Sequence, residues 1–126
     1  GFGVLHHVDL PGSRDALYRV LKPGGVAIFN EPLGHNYPLE FARKYLPYPN
    51  KEGHATDIPL KMKDIELFGE PFSRHTVTPY YLFSMIEQAM GRQMPNSPLR
   101  RLDTAIATHM PWLGRYYRMA MLAYYK

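Results

Sequence analysis

Gly24 and Gly25 lead into Val26-Ala27-Ile28-Phe29, which runs on into Asn30-Glu31-Pro32, and this stretch limits the possible folds more than any other. Four consecutive apolar residues between a Gly-Gly turn and a proline read as a short strand. Without polar alternation both faces are expected to be buried, as in the middle of a parallel sheet.

The chain ahead of it supplies the partner. Phe2 to Leu5 are apolar enough for a second buried strand, and they open the chain without a turn or polar lead-in, which reads as chain missing upstream. Pro11-Gly12-Ser13 gives a turn and an N-cap. Ala16, Leu17, Val20 and Leu21 then share a helical face until Pro23 ends the helix. Strands near 2–6 and 26–30, joined by a helix near 13–21, make a right-handed βαβ crossover with parallel strands. Parallel strands end at one rim of a sheet, and ligands of open α/β sheets bind outside that rim. His6-His7-Val8-Asp9 and Asn30-Glu31-Pro32 are therefore brought together as the first candidates for a site.

Beyond Pro32, Asn36 caps a helix from Tyr37 to Leu46 with Pro38 in its first turn and Phe41, Ala42, Tyr45 and Leu46 on one face. Pro47 to Pro59 reads as a polar loop or lid. Lys61 to Phe68 reads as a short helix ended by Gly69. Phe72 to Ser84 reads as a strand interrupted at Pro79. Met85 to Pro98 is a connector. Leu99 to His109 is a helix with Leu102, Ile106 and Met110 on one face; Tyr116 to Lys126 alternates imperfectly and its Ala and Met would also suit a helix, but a final strand that completes the sheet is expected.

Composition narrows the class. A chain of 126 residues is ordinarily one domain. It has no cysteine, which excludes a disulfide scaffold and thiolate-bound zinc and suits a reducing compartment. No run approaches the ~18 apolar residues of a membrane span. A soluble, cytoplasmic protein is expected. The net charge of +4 comes from Lys and Arg spread along the chain, so a solvated basic surface is expected rather than a nucleic-acid partner.

The rim residues suit proton transfer. A histidine or Glu31 can take a proton from a nucleophile. His6 and His7 point oppositely if extended, so one of them faces the ligand. Glu31 has a second reading, bonding the backbone around the LHH run to hold the rim in shape. His35 and Asn36 form a polar pair that could meet substrate, although Asn36 also suits a cap. His54, His75 and His109 lack metal-ligand spacing, so no metal site is expected. Ser13 and Ser73 lack the context of a hydrolase nucleophile.

Gly3-Val4-Leu5-His6-His7-Val8-Asp9, followed at the right separation by Arg19-Val20-Leu21-Lys22-Pro23-Gly24-Gly25 and Glu31-Pro32, resembles the class I S-adenosylmethionine-dependent methyltransferases, in particular the small-molecule enzymes called type 11 or type 12. Glu31 to Pro38 is similar to the "EPLGHNP" run of a bacterial subgroup. Its acidic-histidine loop and "LD" helix are approximated by Glu52-Gly53-His54 and Leu102-Asp103. The resemblance implies catalytic roles for His7 and Glu31, a cofactor-side wall at Leu5 and His6, and substrate contacts at His35 and Asn36. It also implies that the last strand pairs antiparallel with the strand near 74–83 and inserts beside residues 26–30. The family's glycine-rich loop, ribose-binding acid and adenine-side acid have no counterpart in these residues.

The expectation is therefore the C-terminal half of a Rossmann-like methyltransferase sheet: a single partial α/β domain over 1–126, mixed, with a parallel βαβ unit and an antiparallel closing hairpin. The expected function is S-adenosylmethionine-dependent methylation of a small molecule, with the isolated piece inactive. The alternative is a non-catalytic α/β interaction module derived from that fold.

Overall fold

The computed structural model describes residues 1–37, 41, 59–91 and 96–126. Its centre is a three-stranded antiparallel sheet of β1 (Val26–Pro32), β2 (Arg74–Tyr80) and β3 (Met119–Tyr125), in the order β1-β3-β2. The last strand thus lies in the middle, antiparallel to both neighbours, as expected for the segment 116–125. Tyr125 stands opposite Val26 and Arg74, and Met119 stands opposite Pro32 and Tyr80. It follows that β1 and β2 run the same way and end at one edge. Pro79 does not interrupt β2, because an edge strand tolerates a residue without an amide hydrogen.

Alternation along the strands separates two unlike faces. Ala27, Phe29 and Glu31 share one with Ala120, Leu122, Tyr124 and Val77, and it carries the core: Leu5, Leu33, Leu60, Ile65, Phe68, Phe72 and Tyr117 are buried in the same cluster. Tyr124, fully buried, has ring centroids of Phe68 and Phe72 at 5.0 Å and 5.3 Å. Each such side chain contributes about 1.5–3 kcal/mol by leaving water. The opposite face holds Val26, Ile28 and Met121, which are 45%, 48% and 40% exposed.

Helix α1 (Leu10–Val20) starts earlier than Ser13, because the Asp9 side chain accepts from the Gly12 amide and Pro11 fits the first turn. This shifts the buried face: Leu10, Leu17 and Leu21 pack on the core, whereas Ala16 and Val20 are exposed. Helix α2 (Met62–Gly69) buries Ile65 and Phe68, and Gly69 lies so close to His75 that an added Cβ would stand 2.6 Å from its Nδ1. The expected connector after Met85 contains a short helix, α3 (Met85–Ala89). In α4 (Pro98–His109), capped by Ser97, the inward residues are Asp103, Ile106 and Ala107; Leu102 and Met110, expected inside, are 45% and 40% exposed.

Two expectations for the first third are corrected. Residues 2–6 do not form a strand of the sheet: they make a single parallel bridge, Phe2 to Asn30, and then coil into a turn of 3₁₀ helix at Leu5–His7. Gly3 adopts φ +61°, which turns the chain away from an extended path, so the parallel βαβ unit is not formed as a ladder. Nor is β1 buried on both faces; among the described residues its only ladder partner is β3, and its outward face is half exposed. The expected helix at 37–46 lies largely outside the described residues, with Tyr37 and Phe41 exposed where described; the Glu52–His54 loop lies wholly outside them.

Candidate functional site

The common edge where β1 and β2 end gathers the polar residues of interest. Glu31, one residue from the end of β1, points into the core face and has no exposed surface. Its Oε1 accepts from the amides of Val4 and Leu5 at 2.8 Å and 2.9 Å, and its Oε2 stands 2.7 Å from Nδ1 of His6. These bonds explain why residues 4–7 leave the extended conformation, since the carboxylate collects two successive amides and fixes a tight turn.

A carboxylate only accepts, so Nδ1 of His6 carries the proton on that side and the lone pair of the neutral ring lies on Nε2. This is the arrangement in which an acid orients a histidine for proton abstraction. The His6 side chain is 8% exposed. The His7 ring is tilted against it, centroids 4.0 Å apart, and His7 itself is exposed. Leu5, expected on the cofactor side, places its side chain in the core.

His35 and Asn36 serve the fold where they are seen. The Met62 amide donates to His35 Nε2 at 3.1 Å, satisfying an open donor at the start of α2. Asn36 is buried and its Nδ2 donates to the Tyr116 carbonyl at 2.7 Å. They tie the chain beyond β1 to α2 and to the 3₁₀ segment Pro111–Tyr116.

Further along the same edge is a constellation that the sequence did not single out as a site. Asp103, buried in α4, accepts from the amides of Leu82, Phe83 and Ser84 at 3.0, 2.8 and 3.1 Å and from the Ser84 hydroxyl at 2.5 Å. The Tyr117 hydroxyl donates to its backbone carbonyl at 2.5 Å. Burial first, and the Asp103 charge second, push the Tyr117 phenol up. The loop held in this way follows Tyr81, a non-glycine residue at φ +64°. Pro79, Tyr80, Tyr81, Ser84, Arg100 and Asp103 line an open cleft of about 460 Å³ beside it. The Leu102-Asp103 pair was the one signal pointing here. Nothing in the local sequence of Arg100 announces its place beside Tyr81.

Among the described residues no group of three His, Asp or Glu side chains is placed to hold a metal ion, and no helix is long and apolar enough to cross a membrane. No family model, no curated protein and no solved structure matches the chain.

Proposed function

We propose that the chain is the C-terminal part of an S-adenosylmethionine-dependent methyltransferase that acts on a small molecule, contributing the rim beside the substrate. The observation that supports this reading is the placement of the last strand between β1 and β2, antiparallel to both, with Phe2 bridged in parallel to the other side of β1. A sheet with that order agrees with the LHH and RVLKPGG runs lying at its ends.

The residues present do not fit the cofactor itself. Gly1 to Gly3 are not a cradle for it: the Gly3 amide donates to Asn30 O at 2.8 Å and the Asn30 amide to Gly1 O at 2.9 Å, which spends that backbone on the edge of β1. The glycine loop and the ribose-binding acid of the resemblance are not in these residues. What the rim offers is a proton acceptor, His6 Nε2, with Glu31 positioning the ring.

A non-catalytic interaction module is the second reading, favoured by the fact that Glu31, His35 and Asn36 bond the protein's own backbone. The coding sequence in frame ahead of Gly1 separates the two. A strand followed by a glycine-rich loop supports the enzyme, and a start codon immediately before Gly1 supports the module.

A further inference from the structure

We propose that the cleft beyond the end of β2 binds a small aromatic carboxylate, with Arg100 as its charge partner. Arg100 Nε is buried and has no hydrogen-bond partner among the described residues. Its Nη2 makes one long contact, 3.4 Å, to the Tyr81 hydroxyl. A buried guanidinium N–H left unpaired is costly, and a carboxylate matches the guanidinium fork with two parallel bonds. Asp103 is the single carboxylate in the wall among the described residues, and it does not meet this need. Three amides and the Ser84 hydroxyl already occupy its oxygens.

The walls select an aromatic body. The Tyr80 and Tyr81 rings meet edge to face, centroids 4.8 Å apart, and the Arg100 guanidinium lies 5.5 Å from the Tyr81 centroid. A bound ring would extend this stack, with aromatic pairing adding to the gain from area burial. About 460 Å³ is within the usual size of small-molecule sites.

Tyr81 supplies an independent pointer. A bulky side chain at φ +64° is strained, and such strain collects at ligand sites. It is held by Arg118, whose amide donates to the Tyr81 carbonyl at 3.0 Å, and by the Asp103 bonds to the three residues that follow. Burial, and next Tyr81, push the Tyr80 phenol up against the pull of the Arg118 cation, so the Tyr80 side chain stays neutral at pH 7 and does not repel an anion. The cleft binds its ligand whether or not the rim takes part in methyl transfer.

The test is a titration of the ¹⁵N-labelled 126-residue chain with benzoate, followed by two-dimensional NMR, with benzamide and inorganic phosphate as parallel probes. Benzoate is expected to shift the amides of Tyr80, Tyr81, Ser84 and Arg100 along a saturable curve, with benzamide and phosphate at least tenfold weaker. Arg100→Gln should weaken benzoate at least tenfold and leave benzamide nearly unchanged. Tyr81→Gly, which relieves the backbone strain and removes the ring, should keep the protein folded and weaken both aromatic probes. Shifts that never saturate, benzamide or phosphate binding as tightly as benzoate, or unchanged benzoate affinity in either variant overturns the assignment.

Discussion

Glu31 Oε2 stands 2.7 Å from His6 Nδ1, so a fully buried carboxylate sets the tautomer of a histidine twenty-five positions away in the chain. Glu31→Gln keeps an acceptor for the Val4 and Leu5 amides but offers an amide group to the imidazole, which must then accept at Nδ1 and carry its proton on Nε2. Histidine ¹⁵N shifts are expected to show this exchange of tautomers, with a stability loss of about 1–2 kcal/mol. Glu31→Leu leaves the part-buried Val4 amide and the buried Leu5 amide without their acceptor and should cost about 3 kcal/mol by urea unfolding. Unchanged His6 shifts in the Gln variant would contradict the assigned geometry.

Asp103 holds the loop 82–84 through three amides and one hydroxyl, so its removal should be among the most damaging single changes in α4. Asp103→Ala is expected to cost about 3 kcal/mol, with Asp103→Asn costing less because one acceptor remains. Urea midpoints check the order. Tyr117→Phe, which loses one bond to the Asp103 carbonyl, should cost about 1 kcal/mol.

Stability should fall in alkali. Burial first, and the Glu31 charge second, push the Tyr124 phenol well above its ordinary value of about 10. The folded state therefore holds this proton more tightly than the unfolded chain does. The resulting stabilisation is fully present below about pH 10 and is lost as pH rises toward the folded-state value. Absorbance of tyrosinate and far-ultraviolet circular dichroism are expected to change together above pH 10. Tyr124→Phe should retain more of its neutral-pH stability there; if its alkaline loss matches the parent protein's, Tyr124 is not the linked group.

Gly69→Ala tests the packing of α2 on β2. Alanine is ordinarily the better helix residue, but Gly69 is the last residue of α2, and here its Cβ would stand 2.6 Å from Nδ1 and 2.9 Å from Cγ of His75. The strain should win, with a net loss of about 1–3 kcal/mol. A raised melting temperature would show that the His75 ring moves aside freely.

Parts of this architecture were legible because local chemistry settles them. The Gly-Gly turn before Val26 marks where β1 begins, and Gly69 marks where α2 ends. What escaped depends on partners distant in sequence. Phe2 to Leu5 have the composition of a strand, but Glu31 gathers the amides of Val4 and Leu5 into a turn. Val20 fits the apolar stripe expected of α1, yet Asp9 starts the helix early and leaves it outside. At the site, the rim histidines and Glu31 could be found by following the strand ends. The meeting of Arg100 with Tyr81 could not, because it depends on a left-handed residue and on Asp103 folding the loop back.

The proposed function has the cofactor contacts made by residues other than these 126, and calorimetry with S-adenosylmethionine tests that proposal most directly. The 126 residues alone are expected to give no saturable heat at millimolar cofactor. Loss of several oriented hydrogen bonds at about 0.5–1.5 kcal/mol each removes powers of ten in affinity. The same residues joined to an in-frame upstream strand and glycine-rich loop should bind with a micromolar dissociation constant. Micromolar binding by the monomeric 126-residue chain alone, or none by the extended protein, would contradict the account.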